Sequence, residues 1–223
     1  RWSEAQILEE HRFSLELQDA EISVVAPMVN DQGASLHTFE GFQFALFLRR
    51  GGYPPELDNL DNMLVLGRTL GRIHAVGRAG QFKVRHSMSV QRMLSNSREL
   101  LLEKFIPRDL VPAYESLTAD LEQQVRSVFS EVQPEDFIRI HGDCHVGNIL
   151  WRDNTAHFVD FDDCCAAPAM QDLWMFLNGE RHDRQLQLSE LVEGYSEFCD
   201  FDPRQIRWIE TLRTLRLIHY AAW

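Results

Sequence analysis

Apolar residues recur every three or four positions in several stretches of the chain, which is the spacing of one face of an α-helix. The first stretch covers residues 4–18 and follows Ser3, which forms a capping-box pattern with Gln6. A second begins near Asp58 and continues through Ile73. The same periodicity predicts helices over residues 89–104, 110–131, 167–177, 183–198 and 204–223. We therefore expect helix over most of the chain.

A short region after the first helix has the residue types and breakers that are typical of strands. Strands are predicted over residues 22–29, 35–39 and 42–49. Pro27, the turn at 30–33 and Gly41 interrupt this region, and together these features predict a small antiparallel sheet. Residues 49–55 follow with two glycines and two prolines, and we interpret them as a hinge between two lobes.

The middle of the chain predicts a strand, a loop and a hairpin in succession. An apolar-polar run at 137–140 leads into a tight glycine-containing loop, and residues 149–151 form a second short strand. Residues 152–154 turn, and the third strand ends at Asp160. Because the second and third strands pair as a hairpin, the end of the loop and the end of the third strand should lie together.

This arrangement would bring three oxygen-bearing side chains to one place. Asp143 is followed five positions later by Asn148, and the hairpin then delivers Asp160. Transfer of a phosphoryl group needs such a set, in which one carboxylate orients the attacking hydroxyl and the other two groups hold Mg²⁺. Mg²⁺ takes one or two carboxylates and keeps several waters. We expect Asp143 to be the base and Asn148 with Asp160 to be the metal ligands, while Asp162 either assists at the metal or caps the loop.

Composition narrows the classes of partner. The chain has 223 residues, of which 44% are hydrophobic, enough for one large domain or for a small and a large lobe. Its formal net charge of -12 argues against broad binding to nucleic acid or to anionic membranes, both of which need clustered Lys and Arg. The sequence contains no run of 18 apolar residues, so no membrane span is predicted, and no leader resembles a signal peptide. The four cysteines have neither C-x-x-C nor zinc-finger spacing, so we expect a reducing cytoplasm as the setting. We also expect a monomer.

The order of the central residues resembles a known family. Residues 141–148 read His-Gly-Asp-Cys-His-Val-Gly-Asn, and a Val-Asp-x-Asp segment at 159–162 and Asp172 follow. This pattern resembles the aminoglycoside phosphotransferase and choline kinase-like family. Eukaryotic protein kinases share the offset between Asp and Asn, but Gly142 and the triplet at 160–162 depart from their motifs.

The resemblance implies an α+β, protein kinase-like fold of two lobes, with ATP as phosphate donor and Mg²⁺ as cofactor. Residues 1–50 would be a partial N-lobe of one helix and antiparallel strands, and residues 51–223 an α-rich C-lobe with the catalytic loop and the metal-binding hairpin. The family's Gly-rich loop and lysine-bearing strand would precede Arg1, and the helix that ends at Trp223 has no stop signal. We therefore expect an internal fragment that binds nucleotide weakly and turns over poorly by itself.

The resemblance also implies residues that contact the nucleotide. In the family, a glutamate on the first helix pairs with the strand lysine, which positions the phosphates. Glu10 is the expected residue, with Glu9 as the alternative. The connection between the lobes lends backbone hydrogen bonds to adenine, so Phe47, Leu48 and Arg49 would contact the base, although an ordinary loop fits the local sequence equally well.

Other polar residues of the pattern are expected to support the loop and to take no part in the chemistry. Asp172 lies in a mainly apolar segment, and the family's equivalent braces the catalytic loop through backbone N–H groups. His74 lies on an apolar helix face and is expected to be a hydrogen-bonded core residue. His141 and His145 are expected to stabilise the loop.

The identity of the phosphate acceptor is inferred from the resemblance alone. Residues 7–11, 171–179 and 217–223 are similar to the bacterial stress-response Ser/Thr protein kinases of this family, which implies phosphorylation of Ser or Thr hydroxyls in a protein substrate. Spacing does not distinguish a protein hydroxyl from that of a small molecule, so a kinase of aminoglycoside, choline or homoserine type stays open.

Two other classes are alternatives to a kinase. Residues 142–145 also resemble the G-D-x-H element of two-metal phosphoesterases, but that fold needs a D-x-H element before it and a G-N-H-[DE] element after it, and the sequence has neither at those places. A catalytically idle adaptor is the third class, and the complete Asp-Asn-Asp set argues against it.

Overall fold

The computed structural model describes residues 2–223, and most of its regular structure is helical. The α-helices are α1 (Glu4–Asp19), α2 (Leu60–Arg78), α3 (Asn96–Lys104), α4 (Val111–Phe129), α5 (Met170–Leu173), α6 (Arg181–Ser196) and α7 (Ile209–Ala222). The strands are β1 (His37–Phe39), β2 (Phe42–Phe44), β3 (Phe137–Ile140), β4 (Ile149–Arg152), β5 (Thr155–Phe158) and β6 (Cys165–Pro168). They pair as β1 with β2, β3 with β6 and β4 with β5. The expected α+β class is confirmed.

Helix α1 begins with the predicted capping box. The backbone N–H of Ser3 donates to the Gln6 side chain at 3.0 Å, and the Gln6 N–H donates to the Ser3 hydroxyl at 3.4 Å. The buried face of α1 carries Phe13 and Leu17, but Glu9 and Glu10 are buried as well. Since buried carboxylates need partners, this helix face does more than pack.

Helices α2 and α6 approach each other closely at a glycine. A Cβ added at Gly67 would lie 2.0 Å from the carbonyl oxygen of Leu191, so no larger residue fits there. The apolar face of α2 includes Met63, Leu66 and Leu70, and each is fully buried. The predicted long helix from Asp58 onward is confirmed in type, with its first turn at Leu60.

The predicted strand over 22–29 is wrong as a regular strand. This segment pairs only through single bridges, from Val24 to Phe158 and from Pro27 to Phe47. Pro27 has no N–H to donate, which interrupts a ladder. The prediction for 42–49 is correct only over Phe42–Phe44. The regular sheet of this region is therefore only the β1–β2 hairpin, while residues 22–29 make single bridges to Phe47 and Phe158.

Three predicted helices have different beginnings. The helix expected over 89–104 starts as a π-helix at Gln91–Ser95 before α3. The one expected over 204–223 starts as a 3₁₀ turn at Pro203–Trp208 before α7. At 167–177, strand β6 occupies the first residues, so the helix α5 is shorter than predicted. The helices expected over 110–131 and 183–198 correspond to α4 and α6.

The chain folds into two compact units, each built from two separate segments. One comprises Arg1–His86 and Ile138–Asp202, and the other comprises Ser87–Phe137 and Pro203–Trp223. This division does not coincide with the predicted boundary between residues 50 and 51, which stays a prediction. Every candidate site residue lies in the first unit. Within residues 2–223, none of the helices combines the length and the apolar character that crossing a membrane requires.

Candidate active site

The central hairpin joins the two segments that carry the candidate residues. Ile149 of β4 is paired with Phe158 of β5, and the next backbone bond runs from Val159 N–H to the Asn148 carbonyl at 3.0 Å. The ring Nε2 of His141 also lies 2.8 Å from the Val159 carbonyl, to which it can donate. The end of the loop and the start of the Asp160 segment are therefore adjacent, as the sequence predicts.

Within the loop, Asn148 is tied to the backbone of Asp143. Its side-chain Nδ2 donates to the Asp143 carbonyl at 2.9 Å, and the residue is 7% exposed. That bond uses the nitrogen of the amide and leaves its oxygen as the atom available to a cation. The His145 ring accepts the Gly147 N–H at 2.9 Å and so supports the turn, in agreement with its expected role. An amide oxygen is a donor of the kind that Mg²⁺ accepts.

A buried carboxylate braces this loop. Asp172 accepts the backbone N–H groups of His141 and Gly142, both at 2.9 Å, and it is fully buried. Its second contact is His74, whose Nε2 lies 3.0 Å from the carboxylate. The other ring nitrogen of His74 lies 3.1 Å from the Tyr195 hydroxyl. The expectations for Asp172 as a brace and for His74 as a core residue are both confirmed.

The loop has left-handed backbone at two positions. Gly142 has φ +85°, and a Cβ there would lie 2.2 Å from the Asp163 carbonyl oxygen. Asp160 has φ +63° and is not a glycine. Such a conformation costs a non-glycine residue on the order of 1–3 kcal/mol and persists where the surroundings fix it. Backbone strain thus falls on the residue that the sequence marks as a metal ligand.

A cavity of 710 Å³ lies between α1, the β2 segment and the Asp160 loop. Glu10, Phe47, Asp160 and Asp162 line it. The remaining lining residues are Trp2, Ile7, His11, Ser14, Val25, Leu36, Gln43, Phe44, Ala45, Val159 and Phe161. The volume lies within the range of small-molecule sites, and the lining combines aromatic rings with a few acidic groups.

Not all candidate residues reach this cavity. Leu48 and Arg49 follow Phe47 and are exposed, and neither is among the lining residues. Asp143 and Asn148 also lie outside the lining, and the structure connects them to the Asp160 segment through the backbone bonds of the hairpin. The expected Glu10, Phe47 and Asp160 therefore line the cavity. The loop that carries Asp143 and Asn148 lies outside the lining, next to the Asp160 segment.

The two glutamates of α1 have different surroundings. Glu9 accepts the backbone N–H groups of Lys83, Val84 and Arg85 at 2.6, 2.9 and 2.7 Å. Burial raises the pKa of Glu9, but these three donors together outweigh burial and the net pKa is lowered. Glu9 is thus an anchor for the 83–85 segment, and Glu10 is the residue of the pair that faces the cavity.

Burial is the main reason that the pKa of Glu10 rises to about 7. Arg85 opposes the rise, whereas Asp162, Asp160 and Asp163 add to it because they are carboxylates nearby. The cavity wall thus contains a carboxyl group that is in electrostatic contact with the predicted metal loop.

Sequence reasoning missed Arg85. Its side chain is fully buried, its Nε donates to the Cys164 carbonyl at 2.9 Å, and its Nη2 donates to the Asp162 carbonyl. Its Nη1 lies 3.8 Å from Glu10. Because the partners are mainly backbone carbonyls nearly 80 positions away in sequence, no motif marks this arginine.

No group of three or more His, Cys, Asp and Glu side chains that could hold a metal occurs among residues 2–223. The predicted ligand set is of another kind, with one Asn and one Asp. Phosphate oxygens and waters would complete the coordination of a magnesium ion held by such a pair.

Comparison with known proteins places these features in a family. The family model described as phosphotransferase enzyme family (APH) matches residues 1–209. Stress response kinase A of Escherichia coli (strain K12) is 43% identical over 226 residues, an alignment that covers 100% of this chain and 67% of that protein. Serine/threonine protein kinase RdoA of Salmonella typhimurium (strain LT2) is 42% identical with the same coverage.

Solved structures share the fold at low sequence identity. An amicoumacin kinase in complex with AMP-PNP, Ca²⁺ and amicoumacin has a TM-score of 0.80 at 20% identity, covering 99% of this chain and 70% of that one. A spectinomycin phosphotransferase in complex with ADP and spectinomycin has a TM-score of 0.65 at 16% identity, covering 96% and 70%. The match of the family model to most of the chain, the relatives above 40% identity and this shared fold show that the chain belongs to the phosphotransferase enzyme (APH) family.

Proposed function

We propose that this protein transfers the γ-phosphoryl group of ATP to a Ser or Thr hydroxyl of a protein substrate in a bacterial stress response. The observation that carries the proposal is the hairpin that brings the Asp143–Asn148 loop and Asp160 together beside the 710 Å³ cavity. Phosphoryl transfer consists mainly of positioning and charge stabilisation, so a fixed loop with correctly placed oxygens is the principal requirement.

In this proposal Asp143 accepts or orients the proton of the attacking hydroxyl. Asn148 and Asp160 hold Mg²⁺, which when bound neutralises charge on the phosphates. Asn148 is fixed by its bond to the Asp143 carbonyl, and the loop that follows Asp160 is held by the bonds from Arg85 to the Asp162 and Cys164 carbonyls. Asp172 keeps the loop in place through two backbone N–H groups. These roles fit the oxygen-only donor set that a hard cation requires.

The nucleotide would occupy the cavity. Phe47 supplies an aromatic surface at its wall. In this proposal the backbone of Phe47 meets the adenine edge, together with that of Leu48 and Arg49, which follow it outside the lining as the hinge between the two proposed lobes. Glu10 would face the phosphate side, since it is close enough to Asp160 and Asp162 for its pKa to respond to them. The boundary between the lobes at residue 50 belongs to the same proposal.

The names of the relatives support a protein acceptor. The Salmonella relative is named a serine/threonine protein kinase, and identity above 40% over the whole chain makes it more informative than the structural neighbours. The alternative is a small-molecule acceptor, and a specific observation favours it. The amicoumacin kinase and an aminopropanol kinase have TM-scores of 0.80 and 0.76 with this chain.

The proposed setting is the cytoplasm and the proposed state is a monomer. The four cysteines are buried and form no disulfide, which agrees with a reducing compartment. Size-exclusion chromatography with light scattering measures the oligomeric state directly.

The test is ATP consumption with Mg²⁺ against protein, aminoglycoside, choline and homoserine acceptors, with autophosphorylation followed in parallel. We expect phosphoserine or phosphothreonine and no turnover of the small molecules. Turnover of a small molecule without protein phosphorylation would favour the alternative, a small-molecule kinase. Hydrolysis of phosphoesters that depends on a transition metal and not on ATP would instead favour a phosphoesterase.

A further inference from the structure

The Arg85 side chain connects helix α1 with the loop that carries Asp160. It is fully buried, and its guanidinium donates to the carbonyl oxygens of Asp162 and Cys164. An arginine presents several donors in a rigid fork, so two carbonyls of one loop can be held at the same time. The two bonds fix the backbone that follows Asp160 by two and four residues.

The same arginine is anchored on the side of α1. Its backbone N–H donates to Glu9 at 2.7 Å, and its Nη1 lies 3.8 Å from the Glu10 carboxylate. The guanidinium also stacks on the Trp2 ring, at 4.3 Å from the ring centroid. The Arg85 side chain is fully buried and is not among the residues that line the cavity.

We propose that Arg85 is a positioning residue, which sets the Asp160 loop relative to Glu10 and thereby prepares the metal site of the proposed phosphotransferase. This inference rests on the proposed function for its kinetic consequence, but its structural consequence is independent of activity. A loop whose backbone is strained at Asp160 needs outside contacts to hold that conformation, and Arg85 supplies two of them.

The chain offers a matched control in Arg139. This arginine is also buried, and it donates to the carbonyl oxygens of Val76 and Gly77 at 2.9 and 3.4 Å. It pairs with Glu16 at 2.7 Å and stacks on the Phe13 ring at 4.8 Å. Both arginines therefore combine two carbonyls, one glutamate and at least one aromatic ring. These contacts of Arg139 are with residues outside the Asp160 loop, and the loop is reached only indirectly, through the edge-on contact of Phe13 with Phe161.

The experiment compares R85Q and R139Q by hydrogen exchange and by kinetics. In the protein without nucleotide, R85Q should speed exchange in the peptide that contains residues 160–164, and R139Q should speed it around residues 76–77. With Mg²⁺ and ATP, R85Q should raise the Mg²⁺ concentration for half-maximal rate by about 10- to 100-fold, as is typical when a residue behind a metal ligand is lost. R139Q should raise that concentration much less, because Arg139 reaches the Asp160 loop only through Phe13.

The R85K variant separates charge from geometry and provides a second route if R85Q does not fold. Lysine keeps the positive charge beside Glu10 but has a single point donor in place of the fork. We expect R85K to show the same fast exchange over residues 160–164 and the same raised Mg²⁺ requirement as R85Q. Wild-type behaviour of R85K would overturn the proposal that the two carbonyl bonds matter.

Two further outcomes would contradict the proposal. Equal loop exchange in R85Q and wild type would remove Arg85 from its role, whatever the activity. Equal shifts in the Mg²⁺ requirement for R85Q and R139Q would indicate general destabilisation. If the wild-type protein consumes no ATP while R85Q still loosens the 160–164 peptide, the proposed function has failed and the structural role of Arg85 stands.

Discussion

At the scale of single residues, the proposed chemistry depends on a few carboxylates whose neighbours differ. Asp143 and Asp160 lie on the proposed catalytic side, whereas Asp172 is buried and bonded to two backbone N–H groups and to His74. Substitutions of these residues should therefore separate chemistry from architecture. An Asp→Asn change is suited to this purpose because it keeps the shape and removes the charge.

Asp143→Asn should lower the rate of phosphotransfer about 10²- to 10⁴-fold, the usual contribution of a general base. Its stability should change little, since the loop is held by Asp172 through backbone groups. Asp153→Asn is the control, because Asp153 lies in the exposed hairpin turn with φ +51°, a conformation that Asn accepts. ATP consumption and urea denaturation are measured on both. Retained turnover in the Asp143 variant would remove that residue from the proposed role.

Glu10→Gln should change how stability depends on pH. The pKa of Glu10 is raised from 4.5 to about 7 in the folded protein, so the folded state favours the neutral carboxyl group. The stability that this group contributes is fully present below pH 4.5 and is lost as the pH rises to about 7. Gln cannot ionise, so the variant should gain on the order of 3 kcal/mol relative to wild type across that window.

Urea denaturation at several pH values measures this difference, and Glu9→Gln is the control. The net pKa of Glu9 is lowered, so its contribution is present above pH 4.5 and is lost as the pH falls through the lowered pKa. Its difference from wild type should therefore change only in acid. A Glu10 variant whose stability runs parallel to wild type from about pH 4 to 8 would contradict the raised pKa.

The sequence predicts the role of a residue where its neighbours along the chain show what that residue requires. Asp172 and His74 lie in apolar stretches, and a buried polar group needs a partner, so their structural roles could be expected. Glu10 is expected from the resemblance with Glu9 as the alternative, and the residues themselves do not separate the two, because adjacent residues of a helix differ mainly by rotation about its axis. Arg85 carried no signal, since backbone carbonyls accept hydrogen bonds whatever the side chain is.

At the scale of elements, the catalytic loop depends on a close backbone approach. The loop after β3 passes the carbonyl of Asp163, and only a glycine at 142 allows this. The approach brings the residues before Asp143 against the residues that follow Asp160. One glycine therefore sets the distance between the two segments of the site.

Gly142→Ala should destabilise the protein through this approach, and Gly33→Ala is its matched control. Both glycines have positive φ, +85° and +80°, but a Cβ at Gly33 meets nothing within 4 Å. The Gly33 variant should lose about 1–2 kcal/mol from the backbone conformation alone. The Gly142 variant should lose roughly 1–3 kcal/mol more from overpacking. Urea denaturation measures both, and equal losses would show that the approach has no energetic cost.

Helices were easier to predict than strands because helical contacts are local. Helix α1 and helix α2 follow the apolar periodicity and their caps, and α1 was expected within one residue of its observed end and α2 within two of its start. The segment 22–29 has strand composition, but its partners are Phe158 and Phe47, which local sequence does not identify. Strand pairing depends on residues far away in the sequence, so a prediction from composition alone gives too many residues in strands.

At the scale of the whole molecule, an acidic chain has to bind an anionic nucleotide. The net charge of -12 opposes such binding at long range, and Glu10, Asp160 and Asp162 add acidic groups to the cavity wall. Nucleotide binding should therefore depend strongly on a divalent cation that offsets these charges. The dependence is a property of the complete site and can be measured through global stability.

Mg²⁺ with a non-hydrolysable ATP analogue should stabilise the wild-type protein, by about 2.7 kcal/mol at a ligand concentration roughly one hundred times Kd. The analogue without Mg²⁺ should give less, because the phosphates then face the acidic wall directly. Asp160→Asn should lose the increment that depends on Mg²⁺, whereas Asp153→Asn should retain it. Thermal denaturation with and without Mg²⁺ measures the increment. Its full retention in the Asp160 variant would mean that the cation is held elsewhere, and the assignment of Asn148 and Asp160 as its ligands would have to be abandoned.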